Sequence, residues 1–226
     1  MDAVIVVAGG KGLRMGGDVP KQFVPLCGLP VLMHTLYRIR EAVPRAEIIV
    51  VLPREHKDYW CTLCDKYHFT VPHRTIEGGS SRYESVRNGL NACHSSADSI
   101  VAVHDGVRPF VSVDVIKRSF EIVRERLAVV PAVNPIETVR TGSMDDSRRI
   151  CRDACWLVQT PQVFMANVIK EAYKQVYDMS FTDDASVVES AGHGITLIEG
   201  NRENVKLTTP MDLAWAEAWL TQQKTR

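Results

Sequence analysis

The sequence predicts an α/β fold, a largely parallel sheet flanked by helices with a hairpin arm protruding from it. Strand-like and helix-like patterns alternate along most of the 226 residues, the signature of helices covering a sheet. A glycine-rich stretch follows the first strand without a break, and one long polar stretch interrupts the alternation.

In order, strands read at Ala3–Val7, Glu47–Leu52, His73–Ile76, Ser99–His104 and Val129–Val133, each a short run rich in β-branched residues. Helices read at Val31–Val43, Glu55–Tyr67, Ser81–Cys93, Val113–Leu127, Ala166–Tyr177 and Pro210–Gln223. This order is Rossmann-like. The last helix has a clear start, because Thr209 can cap free N–H groups while Pro210 sits in the first turn, where no donor is needed. Its apolar stripe, Leu213, Trp215, Ala216, Trp219 and Leu220, suits docking on the sheet. From Asn134 to Asp153 the chain is polar, with β-prone segments at Glu137–Arg140 and Cys155–Val158 beside it. It reads as an arm inserted at about 134–158 of a single domain spanning 1–226.

Composition narrows the function classes. With 27 basic and 27 acidic residues the formal charge is zero, which argues against long-range attraction to nucleic acid or an anionic membrane. Any anion site must be local. The apolar runs are strand-length, far short of a bilayer span. The opening MDAVIVVAGG has no basic n-region and no cleavage signal, so a cytoplasmic address is expected. Six scattered cysteines do not form the dense framework of a small secreted scaffold, and reduced thiols follow. Cys61 and Cys64 form a CxxC pair that could serve redox or zinc chemistry, but they fall inside a helical pattern, where packing explains them.

Chemistry points first to AGGKGLRMGGDVPKQF after the opening strand. Glycines at 9, 10, 12, 16 and 17 let backbone N–H groups approach a ligand closely, as a phosphate cradle requires. No GxxxxGK[ST] occurs, and Met15 stands where a dinucleotide fingerprint needs its third glycine. The second strand also ends in Leu52-Pro53, without the acidic residue that would hold a ribose, so hydride transfer is set aside. Arg14 and Lys21 lie in and just after this loop, two cations suited to a polyphosphate or, failing that, two solvated surface charges. Asp105 should emerge at the carboxyl end of its strand, facing a ligand or salt-bridged to Arg108. Metal-ligand patterns such as HExxH are absent, and no nucleophile–histidine–acid order stands out.

The ordered set GxGxRM, PKQ, GGxxRxxSVxxGL, HDxxRP, TPQxF, TDDAS and NxKxTxP, running from Gly10 to Pro210, resembles the 2-C-methyl-D-erythritol 4-phosphate cytidylyltransferase family. The resemblance implies transfer of CMP from CTP to a polyol phosphate with Mg²⁺, releasing pyrophosphate. It makes Arg14 and Lys21 the cations that stabilise the α-phosphate in the transition state. Ala8, Gly9, Gly10 and Gly12 would meet the triphosphate, and Gly79 and Ser85 the cytidine. Asp105 would lie near substrate hydroxyls or the Mg²⁺ shell, the metal being carried mainly by CTP phosphates. Arg108, Thr138, Arg152, Thr160, Thr182 and Lys206 would hold the acceptor, and a homodimer would exchange its arms. This chain departs from the family at Ser80, where some members carry an acid, and at Gly106 and Val107. Ribitol 5-phosphate is the alternative acceptor. A non-catalytic nucleotide-binding protein is the alternative class, disfavoured because a binding module needs no acceptor clamp.

Overall fold

In the computed structural model, which describes residues 1–10 and 19–224, the alternation becomes one mixed sheet between two helical layers. The first half runs β1 (Ala3–Val7), β2 (Pro25–Leu26), β3 (Leu29–Pro30), α1 (Val31–Ala42), β4 (Glu47–Leu52), α2 (Lys57–Lys66), β5 (Arg74–Glu77), α3 (Arg82–Ala92) and β6 (Ile100–Asp105). Then come α4 (Val113–Arg126), β7 (Ala128–Val133), β8 (Arg140–Gly142), β9 (Ser147–Arg149), β10 (Leu157–Val158), β11 (Gln162–Met165), α5 (Ala166–Ala172), α6 (Asp184–Ser190), β12 (Thr196–Glu199) and α7 (Pro210–Lys224).

The sheet runs β10-β7-β11-β6-β1-β4-β5, with β12 pairing to β7 off this path. β1 lies between β4 and β6, parallel to both, and β5 is parallel to β4. β11 is antiparallel to β6 and β7. Side chains alternate across β1: Val4 and Val6 join Leu32, Leu36, Trp60 and Phe120 under α1, α2 and α4. Ala3 and Ile5 face Tyr83, Val86, Ile169 and Val188 under α3, α5 and α6. Burial on both faces is why these strands read as unbroken apolar runs.

Several elements differ from expectation. The helix expected to reach Tyr177 stops at Ala172, where the Tyr83 hydroxyl donates to the Gln175 carbonyl at 2.6 Å, with the Tyr173 carbonyl a second acceptor at 3.1 Å, and its ring stacks on Tyr173. The segment after Pro53 begins as a 3₁₀ turn, Arg54–His56, before α2. The stripe of α7 docks not on the sheet but on Leu26, Val31, Val107, Phe110 and Leu207, a separate cluster built around the β2–β3 hairpin. Its cap is as read: Thr209 Oγ1 accepts from the Asp212 N–H at 3.2 Å. The arm hairpin is β8 with β9, inside the polar stretch, whereas Leu157–Val158 pairs with β7. Cys61 and Cys64 lie in α2, and all six cysteines are free. Among the described residues no helix is long and apolar enough to cross a membrane.

Candidate active site

The carboxyl ends of β1, β4 and β6 and the loops beyond β5 open into a cavity of about 300 Å³. Its floor is apolar, with Val7, Val51, Leu52, Pro53 and Val107, and its rim carries Gly9, Gly10, Lys21, Arg82, Asp105 and Lys206. In a parallel sheet this end is where ligands bind, at the point where crossovers leave in opposite directions.

From β1 the chain stays bonded to the sheet for one more residue, since the Ala8 N–H donates to Val51 O at 3.0 Å. Gly10 then passes under Lys21: a Cβ there would lie 2.8 Å from the lysine Cε. A side chain there would push the lysine stem aside, so glycine leaves Lys21 its present course. Lys21 opens a 3₁₀ turn, Lys21–Phe23, whose Phe23 ring stacks on Trp60 at 5.9 Å and meets Tyr59 edge-on at 5.3 Å. That aromatic anchor fixes where the lysine starts. Arg14 and Gly12 lie outside the described residues.

On the opposite rim, Gly78 extends the sheet by donating to Leu52 O at 2.8 Å, and Gly79 lies so close to α3 that a Cβ would meet Glu84 Cβ at 2.3 Å. The loop is laced to the first turn of the helix. Ser85 Oγ accepts from the Gly79 N–H (3.1 Å) and donates to Ser81 O (2.8 Å). The Glu84 carboxylate accepts from the Ser80 N–H (2.7 Å) and hydroxyl (2.6 Å), which holds its pKa below the ordinary value. Ser81 Oγ caps α3 through the Glu84 N–H.

Asp105 ends β6 and gathers the site's charge. Lys206 Nζ lies 3.0 Å and Arg108 Nε 3.3 Å from Oδ2, with Arg82 Nε 3.9 Å from Oδ1. Burial pushes the Asp105 carboxyl up, but these three cations outweigh it and hold it well below the usual carboxylate range. Arg108 also donates to Asn204 O at 2.6 Å, so its guanidinium is held between Asp105 and the loop before α7. Arg82, which the sequence reading did not single out, forks onto Asp184 at 2.9 and 2.6 Å, and Tyr173 donates to the same carboxylate at 2.6 Å. Burial opposes the Arg82 charge, yet Asp184 outweighs it and raises the guanidinium pKa. Its signal was the arginine of GGSSR together with the second acid of TDDAS. Arg82, Arg108 and Lys206 gather on Asp105, and Lys21 lines the same cavity, which concentrates positive charge locally in a neutral protein.

Beneath Asp105 the directions of the protons are forced. His104 Nε2 faces the Arg108 carbonyl at 3.1 Å, which can only accept, so Nε2 carries the hydrogen. Burial pushes this imidazole down to about 4, leaving it neutral, and Nδ1 accepts from the Thr160 hydroxyl at 3.1 Å. Thr160 Oγ1 in turn accepts the Asp105 N–H at 3.1 Å. Thr160 is therefore buried and committed to holding Asp105, not set at the cavity wall.

The remaining residues expected at the acceptor lie apart. Thr138 is exposed on the arm, and Arg152 is exposed in a 3₁₀ turn, donating to Ile136 O at 2.9 Å. Thr182 is exposed just before α6, which Asp183 caps. None of the three lines the cavity; Lys206 does.

The family model described as 2-C-methyl-D-erythritol 4-phosphate cytidylyltransferase matches residues 2–222. A protein of that name from Bacteroides thetaiotaomicron is 51% identical over 218 residues, covering 96% of this chain and 99% of its own. Another, from Phocaeicola vulgatus, is 50% identical over 214 residues, covering 95% and 97%. Among solved structures, the 4-diphosphocytidyl-2C-methyl-D-erythritol synthase of Anaerococcus prevotii superposes with a TM-score of 0.83 at 28% identity, covering 98% of this chain and 96% of that one. The 2-C-methyl-D-erythritol 4-phosphate cytidylyltransferase of Thermus thermophilus gives 0.77 at 30% identity, covering 98% and 100%.

Proposed function

Because the chain belongs to the 2-C-methyl-D-erythritol 4-phosphate cytidylyltransferase family, we propose that its cavity is the place where CMP passes from CTP to 2-C-methyl-D-erythritol 4-phosphate. The products are CDP-methylerythritol and pyrophosphate. The carrying observation is the convergence of Arg82, Arg108 and Lys206 on Asp105 at the end of its strand, in a cavity that Lys21 also lines.

An acceptor phosphate oxygen attacks the α-phosphorus of CTP in line; that P–O bond forms as the bond to the bridging oxygen breaks and pyrophosphate leaves. Oriented positive charge does most of the work of such a transfer. Arg14 and Lys21 serve the α-phosphate, Ala8 to Gly10 and Gly12 the triphosphate backbone, and Gly79 and Ser85 the cytidine. Lys206 and Arg108 receive the acceptor from this subunit, while Thr138, Arg152 and Thr182 complete its clamp and Thr160 supports it through Asp105.

No cluster of three metal-ligating side chains occurs among the described residues, and Asp105 is the carboxylate that lines the cavity. That donor set fits Mg²⁺, which keeps several waters and binds through one or two carboxylates plus substrate phosphates. Because Asp105 already faces Arg82, Arg108 and Lys206, the CTP phosphates would carry most of the ion's coordination with Asp105 as the protein carboxylate in reach, and the ion would neutralise phosphate charge when bound. Six free thiols fit a cytoplasmic setting. A homodimer with exchanged arms brings Thr138 and Arg152 to the neighbouring cavity.

Pyrophosphate release from CTP and Mg²⁺ tests this reading with each acceptor in turn. Release with methylerythritol phosphate well above that with ribitol 5-phosphate is expected. The reverse preference would replace the acceptor, and no release with either would remove the catalytic reading.

A further inference from the structure

Three glutamines are buried in this chain, and two of them use both ends of the amide. Gln159 donates to Asn201 O at 2.8 Å and accepts from Asn204 at 3.3 Å. Gln162 donates to Asp183 Oδ2 at 2.6 Å and accepts from the Ala185 N–H at 2.8 Å. Gln22 is the exception. It is 0% exposed, lines the cavity, and among the described residues has a hydrogen-bond partner at neither Nε2 nor Oε1.

A buried amide left unpaired opposes folding, and proteins rarely keep one without a use. The turn that carries it gives no structural reason: Lys21–Phe23 is anchored by the Phe23 ring against Trp60, Tyr59 and His56, a hydrocarbon contact that a leucine at position 22 would leave in place. Gln22 also follows Lys21 in sequence, and both residues line the cavity. We propose that the Gln22 carboxamide, shielded in the protein without nucleotide, is a nucleotide-binding group that turns to pair with polar atoms of CTP bound in the cavity. This rests on the reading that the cavity takes CTP. The same amide makes the protein without nucleotide less stable than its hydrocarbon counterpart, so the site is held open at the expense of the fold.

The test uses Gln22→Leu and Gln22→Met in the full chain, with melting temperature measured without nucleotide and CTP affinity by calorimetry. Both variants are expected to melt at or above the wild-type temperature, and to bind CTP about tenfold or more weakly, as loss of a buried ligand hydrogen bond implies. Two results overturn the proposal: wild-type CTP affinity in either variant, or a lower melting temperature in both without nucleotide, which would show that the amide is paired within the protein. Should one variant fail to fold, the other decides. A wild-type chain that does not bind CTP would instead overturn the reading of the cavity, which separates the two failures.

Discussion

Asp105 and Lys21, both at the cavity, are positioned by different means. Lys21 is placed by its neighbours, Phe23 below and Gly10 beneath its stem, so its ammonium acts as a fixed charge. Replacing Lys21 or Arg14 by Ala should lower turnover roughly 10²–10³-fold, the scale of one strong electrostatic stabiliser. Steady-state rates with saturating CTP check this, and near-normal turnover in both variants would remove their catalytic assignment. Asp105 is placed from beneath, by the chain Asp105 N–H to Thr160 Oγ1 to His104 Nδ1. Neutral His104 has a pKa of about 4, against 6.5 ordinarily. Between those values the unfolded chain binds a proton that the folded chain refuses. Its contribution to stability is therefore complete above about 6.5 and is lost as pH falls toward 4, on the order of 3 kcal/mol in all. His104→Gln can still donate to Arg108 O but does not titrate, so denaturant midpoints should fall less steeply for it across that window. Equal slopes for variant and wild type would show that His104 is not the group responsible. Asp105, with an ordinary value of 3.8 and a lower one here, adds its own loss only below that window.

Elements buried on both faces were legible in the sequence; those defined by distant partners were not. β1 and β4 announce their bounds because AVIVV and EIIVVL are apolar throughout, as central parallel strands must be. β11 and β12, four residues each, alternate or mix polar residues, and antiparallel β11 takes its place only by pairing with β6 and β7. The hairpin of β2 and β3 escaped notice for a different reason. Its two-residue turn, Cys27-Gly28, has φ of 47° and 92°, which calls for Asn-Gly, and cysteine carries no such signal. Cys27 is exposed, so its side chain has little packing to lose. Cys27→Asn is therefore expected to stabilise the protein by about 0.5–1 kcal/mol through the left-handed preference of asparagine. A thermal melt reads this as a rise of a few degrees, and a lower melting temperature would mean the thiol contact with α7 outweighs the turn.

The whole molecule explains why the site was read only in part. Lys21, Gly79, Asp105 and Lys206 line the cavity from short motifs, where sequence order alone locates them. Arg82 draws its role from Asp184, 102 residues away, and no local pattern reveals that pairing. Thr138 and Arg152 stay remote from the cavity of their own chain, on an arm whose hairpin has three residues per strand. A two-stranded ribbon of that size is marginal alone in water. Apolar side chains gather beside it, with Ile136 65% and Leu157 54% exposed, a surface that assembly would cover. The expected solution is a two-fold dimer, the commonest closed assembly, in which each arm reaches the other subunit's cavity. Mixing two inactive chains tests this directly. Lys21→Ala spoils the cavity of its own subunit, and Arg152→Ala spoils the arm it lends. If sites are shared, a heterodimer holds one cavity with Lys21 intact that receives an intact Arg152 from its neighbour, and activity returns, while each parent alone stays near background. Arg152→Ala alone should weaken the acceptor while CTP binding persists, which keeps the loss distinct from a damaged fold. Verified heterodimers without activity would put Arg152 and Lys21 in one subunit's site and end the crossing-arm arrangement.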